Sequence, residues 1–433
     1  MSDGAMRHDD VTMEDRRSGE TQPRRWSSLI PPLVAGFTLS ILAAAVISIV
    51  LTASGPDGLG LSPQQTSGWI AAFYTLPMIA TMALTVRYRA PFPFTGNLFA
   101  LIFFASLGRR VGFPELAGAA ILAGALVLLT GILGVTGKVA RWIPTPIVQG
   151  LIVGAVLPFV IDIFSAMSTA DAGTGVEVSI TIACLLVAYL AADRLLPKLP
   201  ALVPAFVVGF AAAAVTGLLG RFPDLFSFPR VDVVRPSFSW TAVLTVTPVL
   251  VALMTVQSNV PSVIYLRSQG YDPPERLVNV MSGVGTMLAS LFGPVLVSLS
   301  LPAALLSAGP TAGDHGLRHV AMYLPVAVSV SIGVFAGTAA DLAVLVPPTL
   351  LLAFAGLALI PALLAALRGT TAGPLVLGPL FALAIAMSEM SILGLGAFFW
   401  SLVIGTTVSM LFERDAWRDL RAASSAAPAT DRR

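Results

Sequence analysis

The sequence predicts an all-α polytopic membrane protein, with about fourteen transmembrane segments arranged as two inverted repeats of seven. Three observations carry that expectation: a chain nearly empty of charge, long runs with no charge at all, and a one-sided distribution of lysine and arginine. Hydrophobic residues fill 56% of the 433 positions and charged residues 11%. Soluble domains carry about 25% charge, and a water-soluble fold of this size could not cover its surface with so little. Leu29 to Ala53, Ile70 to Val86 and Ala117 to Val135 contain no charged residue. About 20 apolar residues in a helix match the hydrocarbon thickness of a bilayer.

In chain order, residues 1–28 read as a disordered cytoplasmic tail: acids and arginines are mixed, and no apolar core of a signal peptide follows. The spans are expected at 31–52, 64–86, 94–108, 115–136, 145–166, 177–193, 201–219, 240–264, 275–293, 298–310, 319–338, 342–364, 374–389 and 391–412. A polar tail is expected over 413–433. With both termini inside, 20 of the 25 lysines and arginines fall on the inner side, and three of the five outer ones share the loop 220–239. One span more or fewer would reverse every downstream loop and erase this asymmetry.

The third and tenth segments are too short to cross as helix alone. Aligned without gaps at an offset of 203, Pro91 meets Pro294, Thr95 meets Ser298, Asn97 meets Ser300, Leu98 meets Leu301 and Ala100 meets Ala303. Each segment opens on proline and β-favouring residues, then a small polar residue, then an apolar helical run. Thr95 and Ser298 are expected to cap the two short helices. Seven is odd, so the halves run in opposite orientations, and paired interrupted segments of this kind point to a binding site. Two helix N-termini converging near the midplane favour an anion. The polar residues near them, Thr95, Asn97, Ser298, Ser300 and, from the eighth span, Gln257, Ser258 and Asn259, include no acid.

Other residues carry less. Asp162 is the acid placed deepest in a span and is the candidate for proton coupling. Glu115 suits a helix N-terminus. Cys184 lies in an apolar run, with no second cysteine to pair. His315 and His319, with Asp314 nearby, read as solvated loop residues and not as a metal site. No phosphate-binding Gly-x-x-x-x-Gly-Lys-Ser/Thr stretch and no catalytic cluster occurs, so an ATP-driven pump and an enzyme are not expected. Neither is a cofactor or a nucleic-acid partner.

The stretch Gln257-Ser258-Asn259-Val260-Pro261, running on to Gly270-Tyr271-Asp272-Pro273-Pro274, resembles the eighth span of the benzoate/proton symporter family. Val34-Ala35-Gly36-Phe37, Arg87-Tyr88-Arg89-Ala90-Pro91 and Leu157-Pro158-Phe159 are similar to that family too. The resemblance spans most of residues 30–412 and extends in architecture to nucleobase–cation symporters and sulfate/bicarbonate transporters. It implies strands ahead of the half-helices in spans 3 and 10. It also implies a substrate-carrying core (29–136 and 240–338) that moves, elevator-like, against a gate (137–219 and 339–412), with 220–239 outside the cell. The implied activity is secondary transport, at the inner membrane, of a small organic anion, an aromatic carboxylate such as benzoate. Protons are the implied coupling ion and a homodimer is the candidate assembly. Candidate substrate contacts are Thr95, Gly96, Asn97, Gln257, Asn259, Ser298, Ser300 and Phe37. A nucleobase or inorganic anion is the rival substrate, and a passive pore the rival mechanism. The family's Gly/His/Asn-containing stretch at the start of span 10 is Pro294-Val295-Leu296-Val297-Ser298 here, and the acids of nucleobase carriers in spans 8 and 10 are absent.

Overall fold

A computed structural model describes residues 27–56, 58–136, 144–168, 175–195, 201–220, 227–230, 232–345, 348–388, 390–392 and 395–426. The tail expected over 1–28 lies, but for residues 27 and 28, outside the described residues. The first half contains α1 (Ile30–Ser54), α2 (Pro63–Tyr88), β1 (Phe94–Gly96), α3 (Leu98–Leu107), α4 (Phe113–Leu133), α5 (Thr145–Ser168), α6 (Gly175–Leu195) and α7 (Leu202–Val215). The second contains α8 (Trp240–Ala252), which passes through a π-helical turn (Leu253–Asn259) into α9 (Val260–Ser268), then α10 (Glu275–Ala289), β2 (Val297–Leu299) and α11 (Leu301–Ala308). A 3₁₀ segment (His315–Met322) leads into α12 (Tyr323–Val334), followed by α13 (Ala336–Leu345), α14 (Pro348–Thr370) and α15 (Leu377–Met387). A small hairpin, β3 (Ser391–Ile392) and β4 (Leu395–Gly396), precedes α16 (Ala397–Phe412) and α17 (Arg414–Ala426).

Eight of the described helices are long and apolar enough to cross a membrane. Helices α7, α15 and α16 are apolar but shorter, and α3 and α11, at 10 and 8 residues, are half-helices as expected. Two expectations are corrected. The segment expected from 342 begins at Pro348, because α13 intervenes. The tail expected over 413–433 is helical from Arg414 to Ala426: Trp417, only 5% exposed, packs with Ala416 and Leu420 on Ile147, Leu375 and Ala382.

Local chemistry explains the helix starts. Ser62 and Gln65 bond each other's backbone N–H at the head of α2, with Pro63 in the first turn. Glu115 accepts from the Gly112 N–H at 3.0 Å at the head of α4. Helix α15 is held from a distance. The Glu413 carboxylate accepts from the N–H groups of Val376, Leu377 and Gly378 at 2.6, 2.8 and 3.1 Å, and from the Ser409 hydroxyl at 2.7 Å. One carboxylate thus satisfies donors that a helix start leaves unpaired.

Helix α4 packs along α10 and α8, and α5 packs on α14 and α15. The first contact depends on glycine. A Cβ on Gly283 would lie 2.6 Å from the Gly124 carbonyl oxygen, and one on Gly124 would lie 2.9 Å from that of Gly283. With lipid outside and no hydrophobic drive between helices, such close backbone approach is what holds spans together.

Two outcomes follow. Gly283→Val should lower the melting temperature in detergent, by an overpacking cost of about 1–3 kcal/mol, whereas Gly316→Ala, which has open space around it, should not. Burial alone would push the Glu413 carboxyl up, but its four hydrogen bonds prevail and hold it below the usual carboxylate range. Its stabilising contribution is therefore present above the unfolded-state pKa and lost as pH falls through the folded-state value. Melting curves across acid pH should show this loss in the parent and a weaker pH dependence in Glu413→Gln.

Candidate functional site

The two short segments meet in the middle of the protein. Strands β1 and β2 pair antiparallel in the register Phe94↔Leu299, Thr95↔Ser298 and Gly96↔Val297. Flanking them, the Asn97 N–H donates to the Leu296 carbonyl at 2.7 Å and the Ser300 N–H to the Pro93 carbonyl at 2.9 Å. Those two bonds are the same bond under the offset of 203, as are the two outer strand pairs. The sequence repeat is thus a local two-fold relation whose axis passes between Thr95 and Ser298. Prolines 91, 93 and 294 keep these stretches out of helix. Helix begins two residues later than expected: Asn97 and Ser300, not Thr95 and Ser298, are the caps, accepting from the N–H groups of Ala100 and Ala303. Residues 95 and 298 are spent on strand pairing.

Hydroxyls on neighbouring helices clamp both strands. On α2, Thr81 donates to the Phe94 carbonyl at 2.7 Å and Thr85 accepts from the Phe92 N–H at 3.3 Å. On α10, Thr286 accepts from the Val297 N–H at 2.9 Å and Ser290 donates to the Val295 carbonyl at 3.1 Å. Each pair is spaced four residues apart and so shares a helix face. The residues they hold, 92 and 295 and 94 and 297, correspond at the offset of 203, with a carbonyl held on one side where an N–H is held on the other. Sequence reasoning missed all four residues. Gly96 serves by having no side chain, since a Cβ there would lie 2.5 Å from the Phe73 ring.

The π-helical turn brings three consecutive polar residues inward. Gln257, Ser258 and Asn259 are 8%, 5% and 1% exposed. Pro261 has no N–H to give the Gln257 carbonyl, which loosens the α-helical ladder at this point. Asn97 donates to the Ser258 and Ser298 hydroxyls at 2.8 and 2.9 Å. Asn259 donates to the Asn279 side-chain oxygen and to the Ser282 hydroxyl, both at 3.0 Å, and accepts from the Leu299 N–H at 2.9 Å. Its amide is saturated, so Asn259 ties α10, β2 and the π-turn together and presents no free donor. Gln257 accepts from the side-chain amide of Gln149 on α5 at 2.9 Å. Gln149, Asn279 and Ser282 also escaped the sequence reading.

What remains open sits at the helix starts. Among the described residues, the N–H groups of Leu98, Phe99 and Leu301 have no acceptor, and Pro302 carries none. The side chains of Thr95 and Ser300 are half-buried there. The remaining expected residues lie apart. Phe37 is 51% exposed on α1 and joins no hydrogen-bonded cluster. Asp162 stands thirteen residues beyond Gln149 along α5, about 20 Å of helix rise. Of the two histidines, His315 is exposed as expected and stacks on Tyr271 with ring centroids 4.2 Å apart, whereas His319 is half-buried and its Nδ1 has no partner among the described residues.

A sequence profile described as benzoate membrane transport protein (BenE) matches residues 27–411. The chain belongs to this family. It is 24% identical over 389 residues to the benzoate membrane transport protein of Acinetobacter baylyi, covering 88% of this chain and 96% of the relative. It is 24% identical over 387 residues, with the same coverages, to the inner membrane protein YdcO of Escherichia coli. Among solved structures, SLC26A9 superposes with a TM-score of 0.59 at 14% identity over 89% of this chain, which spans 65% of that one. The murine SLC26A9 anion transporter in its inward-facing state superposes with a TM-score of 0.58 at 13% identity, covering 93% and 74% of the two chains. The benzoate-transport family chain is therefore an integral membrane transport protein that shares the fold of those structures.

The saturated amide makes a sharp stability test. Asn259→Leu would strand the Leu299 N–H and the Asn279 oxygen in a dry site, at about 1–3 kcal/mol for each buried group left unpaired. A marked drop in melting temperature is expected. Thr95→Val, at a half-buried side chain, should leave it near the parent value.

Proposed function

We propose that this chain is a secondary active transporter of a small organic anion, an aromatic carboxylate such as benzoate, with protons as the coupling ion. The observation that carries the reading is the pair of half-helices. Each N-terminus holds roughly half a positive charge, the N–H groups of Leu98, Phe99 and Leu301 lack acceptors among the described residues, and no carboxylate belongs to the cluster around them. A substrate carboxylate would accept from those donors and from the Thr95 and Ser300 hydroxyls. The half-buried side chains of Leu98, Phe99 and Leu301 would offer an apolar surface to a ring. The family description and the Acinetobacter relative's name support a benzoate-like substrate.

In this reading fourteen spans form two inverted halves. Residues 29–136 and 240–338 make a core that slides against a gate of 137–219 and 339–412. The loop 220–239 lies outside the cell and both termini lie in the cytoplasm. The Gln149–Gln257 bond then crosses from gate to core and must break in each cycle. Asp162 is the coupling candidate on α5. At about 20 Å along the helix from Gln149, it would act on the gate's equilibrium and not on the substrate directly.

In proteoliposomes, benzoate uptake should saturate and should be driven by an inward proton gradient. Linear, gradient-insensitive uptake would identify a passive pore instead. Gln257→Leu should abolish uptake without loss of expression, and Asp162→Asn should remove the gradient's effect while leaving benzoate exchange.

A charge swap tests the helix ends. Ser300→Asp places a carboxylate where the dipole is worth up to about 2 kcal/mol. It should abolish benzoate binding yet melt no lower than the ligand-free parent. Ser300→Lys should melt lower, and the opposite order of melting temperatures would rule out an anion site at the helix starts.

A further inference from the structure

A second place on the molecule has the features of a ligand site, at the end of the last long apolar helix. The last turn of α16 and the first turns of α17 enclose an open cavity of about 580 Å³, lined by Met410, Leu411, Arg414, Trp417 and Arg418. Arg414 and Arg418 stand four apart, on one face of α17. The nearest acid cannot neutralise them, because the Glu413 carboxylate is taken up by three backbone N–H groups of the α15 start and the Ser409 hydroxyl. Asp415 and Asp419 lie one position further round the helix and do not line the cavity. Among the described residues, neither arginine has an ion-pair partner.

The apolar face of α17 is not available to the bilayer. Ala416, Trp417 and Leu420 are packed on Ile147, Leu375 and Ala382. The apolar surface left exposed at this corner is the end of α16, where Met410, Leu411 and Phe412 are 41%, 53% and 74% exposed. The site therefore has two unlike walls: exposed aliphatic surface on a membrane helix, and, one to two turns beyond it, two guanidinium groups with no ion-pair partner among the described residues. A free anion would use only the second wall, and a neutral lipid only the first.

We propose that this corner binds an anionic phospholipid. Its phosphate is bridged by Arg414 and Arg418, whose planar donor sets match phosphate oxygens. Its acyl chain runs down α16 over Met410 and Leu411, and Trp417, held by its packing beneath α17, lines the cavity between them. The bound lipid bears on α17, and through the neighbouring Glu413 on the start of α15.

The test is thermal melting of the purified full chain in detergent with added phosphatidylglycerol, phosphatidylcholine or inorganic phosphate. A ligand that binds only the folded state raises the melting temperature. Phosphatidylglycerol should raise it by several degrees more than phosphatidylcholine, and phosphate should not. The double variant Arg414→Gln/Arg418→Gln should lose that increment while melting near the parent in phosphatidylcholine. Met410→Glu, a change at an exposed position, sets a carboxylate at the lip and should lose the increment too, which keeps the test decisive if the double variant fails to fold. Retention of the increment in the variants would overturn the proposal, as would an equal effect of phosphatidylcholine. An equal effect of phosphate would reassign the corner to free anions.

Discussion

The fold depends on a backbone pairing of three residues against three, made where no water can replace it. Strands β1 and β2 interrupt two membrane segments, and an interrupted segment leaves N–H and C=O groups that lipid cannot satisfy. Each strand meets that demand with the other, and the hydroxyls of Thr81, Thr85, Thr286 and Ser290 take up backbone groups beside the ladder. Neither strand completes its ladder without the other. The two strands are therefore obligate partners, and the half-helices that follow them are held in fixed relation to each other.

The buried amides extend this constraint sideways. Asn97 joins the first half-helix to Ser258 and Ser298, and Asn259 joins β2 to α10. These contacts make α10, the π-turn and both strands one polar unit inside an apolar bundle. Such a network rigidifies when every member is satisfied and is costly when one is not. Gln149 is the exception, reaching the unit from α5 through one bond to Gln257. A single amide–amide contact is easily broken and remade, unlike the three-way bonding of Asn259.

Much of this was legible in the sequence, for physical reasons. An ungapped offset of 203 puts β1 on β2 and α3 on α11 residue for residue, because proline, small polar residue and apolar run are what a broken span requires. By residue type Thr95 and Ser298 are as suitable caps as Asn97 and Ser300 two residues on, and only the long-range strand pairing decides between them. The hydroxyl clamps were not legible. A serine or threonine in an apolar helix commonly bonds back to its own ladder, as Ser40 does to Gly36, and no local feature separates that from a tertiary bond. Gln149 was missed because its partner lies 108 residues away. The motif around Phe37 fixes no contact for its ring, which is half exposed on α1. The C-terminal helix reads as a tail in the sequence because its polar composition hides the single stripe of Ala416, Trp417 and Leu420.

The antiparallel pairing has an electrical consequence. Half-helices that continue antiparallel strands leave them in opposite senses, so the dipoles of α3 and α11, 10 and 8 residues long, largely cancel. A membrane potential acts on charge that moves through it, at about 2.3 kcal/mol per elementary charge per 100 mV. It finds little net dipole in this pair of half-helices to turn or translate. This pair of half-helices therefore adds little of its own to any voltage sensitivity, and a voltage dependence of uptake would report charge carried elsewhere in the protein or by what it transports.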